Sequence, residues 1–143
     1  MELSTRDSTA TGWRALGFWY DYTPKDGWII RGSRNGLLSF VRLLCAYAEN
    51  SKRATISEHD HLGPFMYLKL ATWNSAEVNS DGIYGTQADI RNLAKLLEDF
   101  VSGANQGDVR DLAPLFSAAS TANLLVNLES DSFDPAAYDQ LGK

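Results

Sequence analysis

The stretch GFWYDYTPKDGWIIRG, residues 17 to 32, decides how this chain of 143 residues begins to fold. Aromatic and β-branched residues, which favour strands, are concentrated in Gly17 to Tyr22 and in Trp28 to Arg31. Between them, Thr23-Pro24-Lys25-Asp26-Gly27 has the composition of a tight turn. The stretch therefore predicts a β-hairpin.

A helix is predicted immediately downstream, from about residue 35 to residue 50. One helical stripe carries the apolar residues Leu37, Val41, Leu44 and Ala48, with Phe40 and Tyr47 beside it. A one-sided stripe is typical of a helix that packs on a sheet. Cys45 is expected to fill core or boundary space, because no basic residue flanks it in sequence to activate its thiol.

Further strands are predicted at Ala54 to His61 and at Phe65 to Trp73. The connection Leu62-Gly63-Pro64 indicates a tight turn between them, because adjacent glycine and proline residues are typical of turns. Gly82 to Gly85 is expected to add a short edge strand.

The second main helix is predicted from Thr86 to Val101. Thr86 is a suitable N-cap, Asp89 stands three residues later, and Gly103 ends the pattern. One face of this helix carries Ile90, Leu93, Ala94, Leu97, Phe100 and Val101. We expect Leu97 and Phe100 to be core residues.

The C-terminal part predicts less. Residues 104 to 122 are ambiguous, Asn123 to Glu129 is typical of a strand, and Asp134-Pro135 indicates the start of a short helix. The whole pattern predicts a single α+β domain over residues 13 to 143, with a mostly antiparallel sheet of five or six strands and two main helices packed on one face. Residues 1 to 12 are polar, lack periodicity and are expected to form a flexible arm.

The charge is negative and unevenly placed. The chain has 13 basic and 18 acidic residues, and from Asp108 onward there are six acidic residues against two basic ones. Such a surface disfavours nucleic acid and favours a basic protein partner. No apolar run approaches the ~20 residues that span a bilayer, and no signal peptide or disulfide framework is visible, so we expect no membrane and a cytoplasmic location.

Both histidines lie in Ser57-Glu58-His59-Asp60-His61-Leu62-Gly63-Pro64. On an extended chain His59 and His61 share one face, and Glu58 and Asp60 share the other. A structural role, a general acid or base, and a metal site are all compatible with this pair. We expect neither a metal nor a cofactor, because no further His or Cys suits a metal shell.

Gly32-Ser33-Arg34-Asn35-Gly36 stands between a predicted strand and a helix start, where backbone amides and Arg34 can hold a phosphate. Simple helix capping by Ser33 or Asn35 is the favoured interpretation, because the full phosphate-loop pattern is absent.

A partner surface is predicted from aromatic residues and acidic residues. The cluster around Trp19 and Tyr20 has one face for the core and another for protein contact, since tyrosine and tryptophan are frequent at binding hot spots. Glu129, Asp131 and Asp134 are expected to contribute to recognition of a basic partner. The alternative is that they are only solvated charges that keep the protein soluble. Asp131, Asp134 and Asp139 do not match the spacing of a calcium loop, so capping and solvation explain them.

Residues 28 to 72 resemble a family of bacterial immunity proteins from polymorphic toxin systems. The residues that carry the resemblance are the strand and helix entry Ile29-Ile30-Arg31-Gly32-Ser33-Arg34-Asn35-Gly36-Leu37-Leu38, the helix through Ala48, and His59-Asp60-His61-Leu62 followed by a strand. The resemblance implies a cytoplasmic, non-enzymatic protein that binds and blocks a toxin. The alternative is a small hydrolase or metal-dependent enzyme that uses His59 and His61.

Overall fold

The computed structural model describes residues 5–65 and 67–138, which form an α+β fold of four α-helices and eight strands. The helices are α1 (Thr5–Leu16), α2 (Arg34–Glu49), α3 (Gln87–Gly103) and α4 (Ala113–Phe116). The strands are β1 (Trp19–Thr23), β2 (Gly27–Gly32), β3 (His59–Leu62), β4 (Leu68–Thr72), β5 (Glu77–Asn79), β6 (Gly82–Gly85), β7 (Val109–Asp111) and β8 (Leu124–Leu128). Two 3₁₀ helices, Ser51–Arg53 and Pro135–Tyr138, complete the described elements.

The predicted hairpin is confirmed. β1 and β2 pair antiparallel, from Trp19 opposite Arg31 to Thr23 opposite Gly27. Gly27 has a φ of +74°, and a Cβ there would lie 2.7 Å from the backbone nitrogen of Asn123. The turn therefore needs glycine for its backbone conformation and for the close approach of the neighbouring chain.

The strands form two sheets, where the sequence predicted one. Sheet A has the order β1-β2-β8-β7, and sheet B has the order β3-β4-β6-β5. In each sheet the central pair is parallel and the two outer pairs are antiparallel. The predicted strand count is too low because β5 and β7 have only three residues each, too few to show an alternating pattern.

Strand bounds and positions also differ from the prediction. β3 begins at His59, since the chain before it forms the 3₁₀ helix Ser51–Arg53 and then passes through Ser57, which has a positive φ of 79°. β6 was expected at a sheet edge, but it lies between β4 and β5. The strand predicted near residues 123 to 129 is confirmed as β8.

Both main helices are confirmed, with their predicted apolar stripes buried. The side chain of Ser33 caps α2 by accepting from the backbone N–H of Gly36, and Thr86 and Asp89 form a capping box at α3. α2 and α3 pack against each other, and α2 contacts β2 while α3 contacts β6. The helices therefore serve both sheets, where the prediction placed them on one face of a single sheet.

The predicted arm over residues 1 to 12 is helical where the structure describes it. α1 begins at Thr5, and it contacts α2 and the 3₁₀ helix Pro135–Tyr138. Its anchor is Trp13, which is buried and meets the ring of Tyr20 edge-on at 5.2 Å. The first residues of α1 lack an apolar stripe, so the sequence pattern does not reveal this helix. Residues 1–4 lie outside the described part of the chain.

Side chains join the two sheets. The indole N–H of Trp28 in β2 donates to the backbone oxygen of Asn79 in β5 at 2.7 Å. Gly63, after β3, has a φ of +82°, and a Cβ there would lie 2.7 Å from Cε2 of Tyr20. Close contact with β1 therefore fixes the turn that the sequence predicted between β3 and β4. Among the described helices, none combines the length and apolar character needed to cross a bilayer.

Candidate functional site

His59 and His61 lie side by side on β3, as predicted. Their ring centroids are 5.1 Å apart and the ring planes are nearly perpendicular, at 89°. Both side chains are exposed, and Nδ1 of His59 lies 3.0 Å from the backbone oxygen of Ser57. In the register with β4, His61 stands opposite Lys69. The imidazoles therefore face outward from sheet B, beside the Lys69 side chain.

The two neighbouring carboxylates bind an arginine. Nε and Nη2 of Arg53 lie 2.9 and 2.7 Å from Oδ1 of Asp60, and Nη1 lies 3.4 Å from Oε2 of Glu58. The hydrogen bond with Asp60 is the main cause that raises the pKa of Arg53. Because Arg53 holds both carboxylates, neither one orients a histidine of β3 in the way that a general base requires.

A buried tyrosine anchors this part of the chain to α2. The hydroxyl of Tyr47 donates to the backbone oxygen of Glu58 at 2.9 Å and lies 2.7 Å from Oγ1 of Thr72. Burial raises the pKa of Tyr47, so the hydroxyl stays neutral and able to donate. The start of β3 is therefore held in place by the helix beneath it.

Metal binding finds little support in the described residues. No group of three or more His, Cys, Asp and Glu side chains that is suited to a metal ion occurs among them. Zinc sites normally have four ligands, and catalytic ones keep three from the protein. The absence of a tight metal at His59 and His61 stays a prediction that requires measurement.

A cleft of about 550 Å³ lies where sheet A approaches the outer side of sheet B. Its walls include Asp21, Tyr22 and Trp28 from the hairpin, His61, Tyr67 and Lys69 from β3 and β4 or beside them, and Ser80 and Asp81 from the β5–β6 turn. Trp28, one of these lining residues, donates its indole N–H to the backbone oxygen of Asn79, the residue before Ser80. One member of the predicted histidine pair, His61, thus faces a cavity that the sequence did not reveal.

The carboxylates of the cleft are unpaired. Asp21 and Asp81 are both exposed, and neither side chain makes a hydrogen bond or an ion pair with another described residue. The ammonium of Lys69 lies over the ring of Tyr84, 5.4 Å from its centroid. The lysine therefore contributes positive charge to the wall without forming an ion pair with either aspartate.

An exposed aromatic ring borders the cleft. Tyr67 is 65% exposed and stacks on Phe65, with centroids 5.6 Å apart and planes 17° apart. Large exposed aromatic side chains are typical of interaction sites when they border a pocket. No sequence pattern singled out Tyr67 or Asp81, although strand alternation does place residues 67 and 69 on one side.

The cleft contains a serine and a histidine, the residue types of a hydrolase nucleophile and base, but they are not hydrogen-bonded to each other. Ser80 and His61 both line it, but no hydrogen bond joins the Ser80 hydroxyl to the His61 imidazole. An activated serine requires its base within hydrogen-bond reach. The described geometry therefore gives the hydrolase alternative no assembled nucleophile.

The predicted aromatic contacts divide between surface and core. Trp19 is half-buried on the outer side of sheet A and packs on Tyr138, with ring centroids 5.4 Å apart. Tyr20 is only 3% exposed, and its hydroxyl accepts from the backbone N–H of Tyr67 at 3.1 Å. Tyr20 is therefore a core residue that joins the sheets, and little of its side chain is exposed for the partner contact that was predicted.

Two of the three predicted acidic contacts are paired within the chain. Glu129 accepts from Nη1 of Arg31 at 2.8 Å, and the carboxylate of Asp134 meets Nε and Nη2 of Arg14 at 3.2 and 3.0 Å. The hydrogen bond from Arg14 lowers the pKa of Asp134. Asp131 is exposed and has no ion pair with a described residue. Asp139 lies outside the described residues.

The loop before α2 is a helix cap, as the favoured interpretation holds. Arg34 reaches away from it and donates to the backbone oxygens of Val101 and Ala104, the latter at 2.9 Å. Its guanidinium thus completes the C-terminal end of α3. The Arg34 side chain is therefore not positioned to pair with a phosphate at residues 32 to 36, which weakens the phosphate-binding alternative.

Comparison with family models, with curated proteins and with solved structures finds no match for this chain. The assignment of a function therefore depends on the geometry described above.

Proposed function

We propose that this chain is a protein-binding domain that acts as an immunity protein in the bacterial cytoplasm, where it binds and neutralises a toxin with a basic surface. The observation that carries the proposal is the open cleft between the sheets, which combines the exposed Tyr67 with the unpaired carboxylates of Asp21 and Asp81. Aromatic anchors slow the release of a partner, and complementary charge speeds its capture.

The net charge of the chain supports a basic partner. It is −5 at pH 7, and a field of one sign raises the encounter rate with a partner of the opposite sign. Charges that remain unpaired contribute most to such a field. Asp21, Asp81 and Asp131 meet this condition among the described residues, whereas Glu129 and Asp134 are compensated by Arg31 and Arg14.

The proposed contact surface is therefore centred on the cleft. Asp131 and the half-buried Trp19 remain secondary candidates for partner contact. Glu129 pairs with Arg31 of β2, and Asp134 pairs with Arg14 of α1, the helix that contacts Pro135–Tyr138. Both carboxylates thus stabilise contacts within the chain, so their effect on a partner is proposed to be indirect. The hydrolase alternative has weaker support, because Arg53 holds the carboxylates beside the histidines and Ser80 lacks a hydrogen bond to His61.

The test is neutralisation of a toxin inside cells. The product of the adjacent gene is expressed alone and together with this chain, and growth is followed. We expect growth arrest by the neighbour alone and recovery with the wild-type chain, because the complex blocks the toxin. Failure of the wild-type chain to restore growth, or to form a complex with that neighbour, contradicts the proposed function.

Variants locate the contact surface within the same assay. Tyr67→Ala removes the exposed ring and is expected to weaken protection. Leu115→Ala is the matched control, because Leu115 is a similarly exposed apolar residue, at 55%, and does not line the cleft. Equal protection by the two variants would move the contact surface away from Tyr67.

A further inference from the structure

We infer that the cleft between the sheets receives an arginine side chain of the partner, with the guanidinium paired to Asp21 and Asp81. This inference rests on the proposed function in one respect, namely that the arginine belongs to a toxin that the chain binds. It names the chemistry that the cleft recognises, which is a planar cation on an extended chain segment.

The ion pairs within the chain show the chemistry that its carboxylates favour. Five acidic side chains outside the cleft pair with arginine: Arg53 binds Glu58 and Asp60, Arg31 binds Glu129, Arg14 binds Asp134 and Arg91 binds Glu49. Asp21 and Asp81 share a cleft and have no such partner among the described residues. An arginine from outside would supply the same kind of pairing.

The two carboxylates come from elements that approach each other only in the folded chain. Asp21 lies in the middle of β1 in sheet A, and Asp81 lies in the β5–β6 turn of sheet B. Arginine presents donors along several edges of a planar fork, so it can pair with carboxylates that stand on different walls. A lysine ammonium, as a compact point charge, matches this arrangement less well.

Aromatic rings supply a second type of contact. Tyr67 offers an exposed ring already stacked on Phe65, and Tyr22 is half-buried at 5.1 Å from the ring of Trp28. Guanidinium groups stack on aromatic faces, which adds attraction that a neutral side chain lacks. The cleft thus joins negative charge with aromatic faces, the two features that distinguish an arginine site from a general polar pocket.

The fixed charge of the walls also favours a cation. Asp21 and Asp81 against Lys69 leave one net negative charge among these three lining residues. The ammonium of Lys69 lies over Tyr84 and makes no ion pair with either aspartate, so both carboxylates keep their hydrogen-bond acceptors available. A guanidinium that enters beside Asp21 and Asp81 is therefore attracted by two carboxylates.

The cleft is preformed, which reduces the entropy that binding costs. Trp28 binds Asn79 across the junction, and Tyr20 binds the turn that leads to Tyr67. Both walls are consequently held before the ligand arrives.

The test uses a short peptide in place of the unidentified partner. The full chain is titrated with acetyl-Gly-Arg-Gly-amide and, separately, with acetyl-Gly-citrulline-Gly-amide, and amide and indole N–H resonances are followed by NMR. Citrulline has nearly the shape of arginine but no charge. We expect shifts at Asp21, Tyr22, Asp81 and the Trp28 indole with the arginine peptide, and much smaller shifts with the citrulline peptide.

A double variant tests the two carboxylates. Asp21→Asn combined with Asp81→Asn keeps side-chain size and is expected to weaken binding of the arginine peptide by about tenfold or more, because charge-assisted hydrogen bonds are lost. Glu98→Gln is the control, since Glu98 is also exposed and makes no ion pair with a described residue but lies outside the cleft. It is expected to bind the arginine peptide like the wild type.

Four results overturn the inference: equal shifts with both peptides, no shifts with the arginine peptide at its solubility limit, unchanged binding in the double variant, or undiminished protection from the toxin by the double variant. These results are separate from the fate of the proposed function. Arginine binding without protection from a toxin removes the immunity role alone, whereas protection that survives the double variant removes the arginine site alone.

Discussion

Tyr20 and Leu62 connect the two sheets of this protein through one buried hydrogen bond. The hydroxyl of Tyr20, in β1, donates to the backbone oxygen of Leu62 at the end of β3. The hydroxyl oxygen of Tyr20 in turn accepts from the backbone N–H of Tyr67 at 3.1 Å. One side chain of sheet A therefore satisfies polar groups on both sides of the turn between β3 and β4, and burial raises the pKa of its hydroxyl.

Tyr20→Phe is expected to destabilise the fold by about 1–3 kcal/mol, because the buried backbone oxygen of Leu62 and the partly buried N–H of Tyr67 lose their partner. Chemical denaturation followed by fluorescence measures the change. Tyr22→Phe is the control, since the Tyr22 hydroxyl makes no hydrogen bond with a described residue. If the two variants unfold alike, the hydroxyl of Tyr20 does not join the sheets in solution.

Leu97 and Phe100 are core residues of α3, as the sequence predicted, with exposed fractions of 1% and 5%. Replacement of either one with Ala is expected to lower the free energy of unfolding by about 2–5 kcal/mol, through lost burial and the cavity left behind. Thermal melts measure the effect. Glu98→Ala, on the exposed side of the same helix, should leave the melting temperature nearly unchanged. Unchanged melts for both core variants contradict the inward orientation of this face.

The ion pair of Arg14 and Asp134 predicts a pH dependence. Arg14 holds the pKa of Asp134 below its usual value, so the pair contributes stability above the unfolded pKa of ~3.9 and loses it as the pH falls through the folded pKa. Asp134→Asn should therefore lower the melting temperature slightly at neutral pH, since the pair is exposed. The difference from the wild type should shrink in acid.

Melting temperatures measured from neutral to acidic pH give this comparison directly. Asparagine retains an oxygen that accepts from Ala136, so the substitution removes charge while it keeps the cap. Asp131→Asn serves as the reference, and its difference from the wild type should not vary in the same way. A pH-independent effect of Asp134→Asn contradicts the role of the ion pair.

The histidine pair is expected to hold no tight metal. His59 and His61 supply two imidazoles, while Arg53 holds the neighbouring carboxylates Glu58 and Asp60. Metal analysis of purified, untagged protein should find far less than one zinc per chain. One zinc per chain that disappears in His59→Ala would overturn this prediction and revive the enzyme alternative.

Local patterns predicted the elements whose determinants are local. The turn at Thr23 to Gly27 specifies the hairpin, and the capping residues Ser33 and Thr86 specify where α2 and α3 begin. Long apolar stripes fixed the buried faces of both helices. These features depend on neighbours within a few residues, so a single sequence is sufficient to find them.

Features that depend on distant contacts were missed. β8, at Leu124–Leu128, pairs in parallel with β2, which lies far away in sequence at Gly27–Gly32. β5 and β7 are too short to show alternation. Only part of the candidate site was predicted, because the rest also depends on distant contacts. The spacing of His59 and His61 placed them on one face, but the cleft that Asp21 and Asp81 both line exists only after the two sheets meet.

The arrangement of the two sheets has a consequence for biosynthesis. Sheet B uses only residues 59–85, whereas sheet A requires β8, at Leu124–Leu128, between β2 and β7. During synthesis, one edge of β2 therefore stays unpaired until β8 has left the ribosome. Contacts between residues so far apart in sequence also form slowly. An unpaired edge invites association with other chains. Nascent chains that stop before β8 are the species in which aggregation should begin.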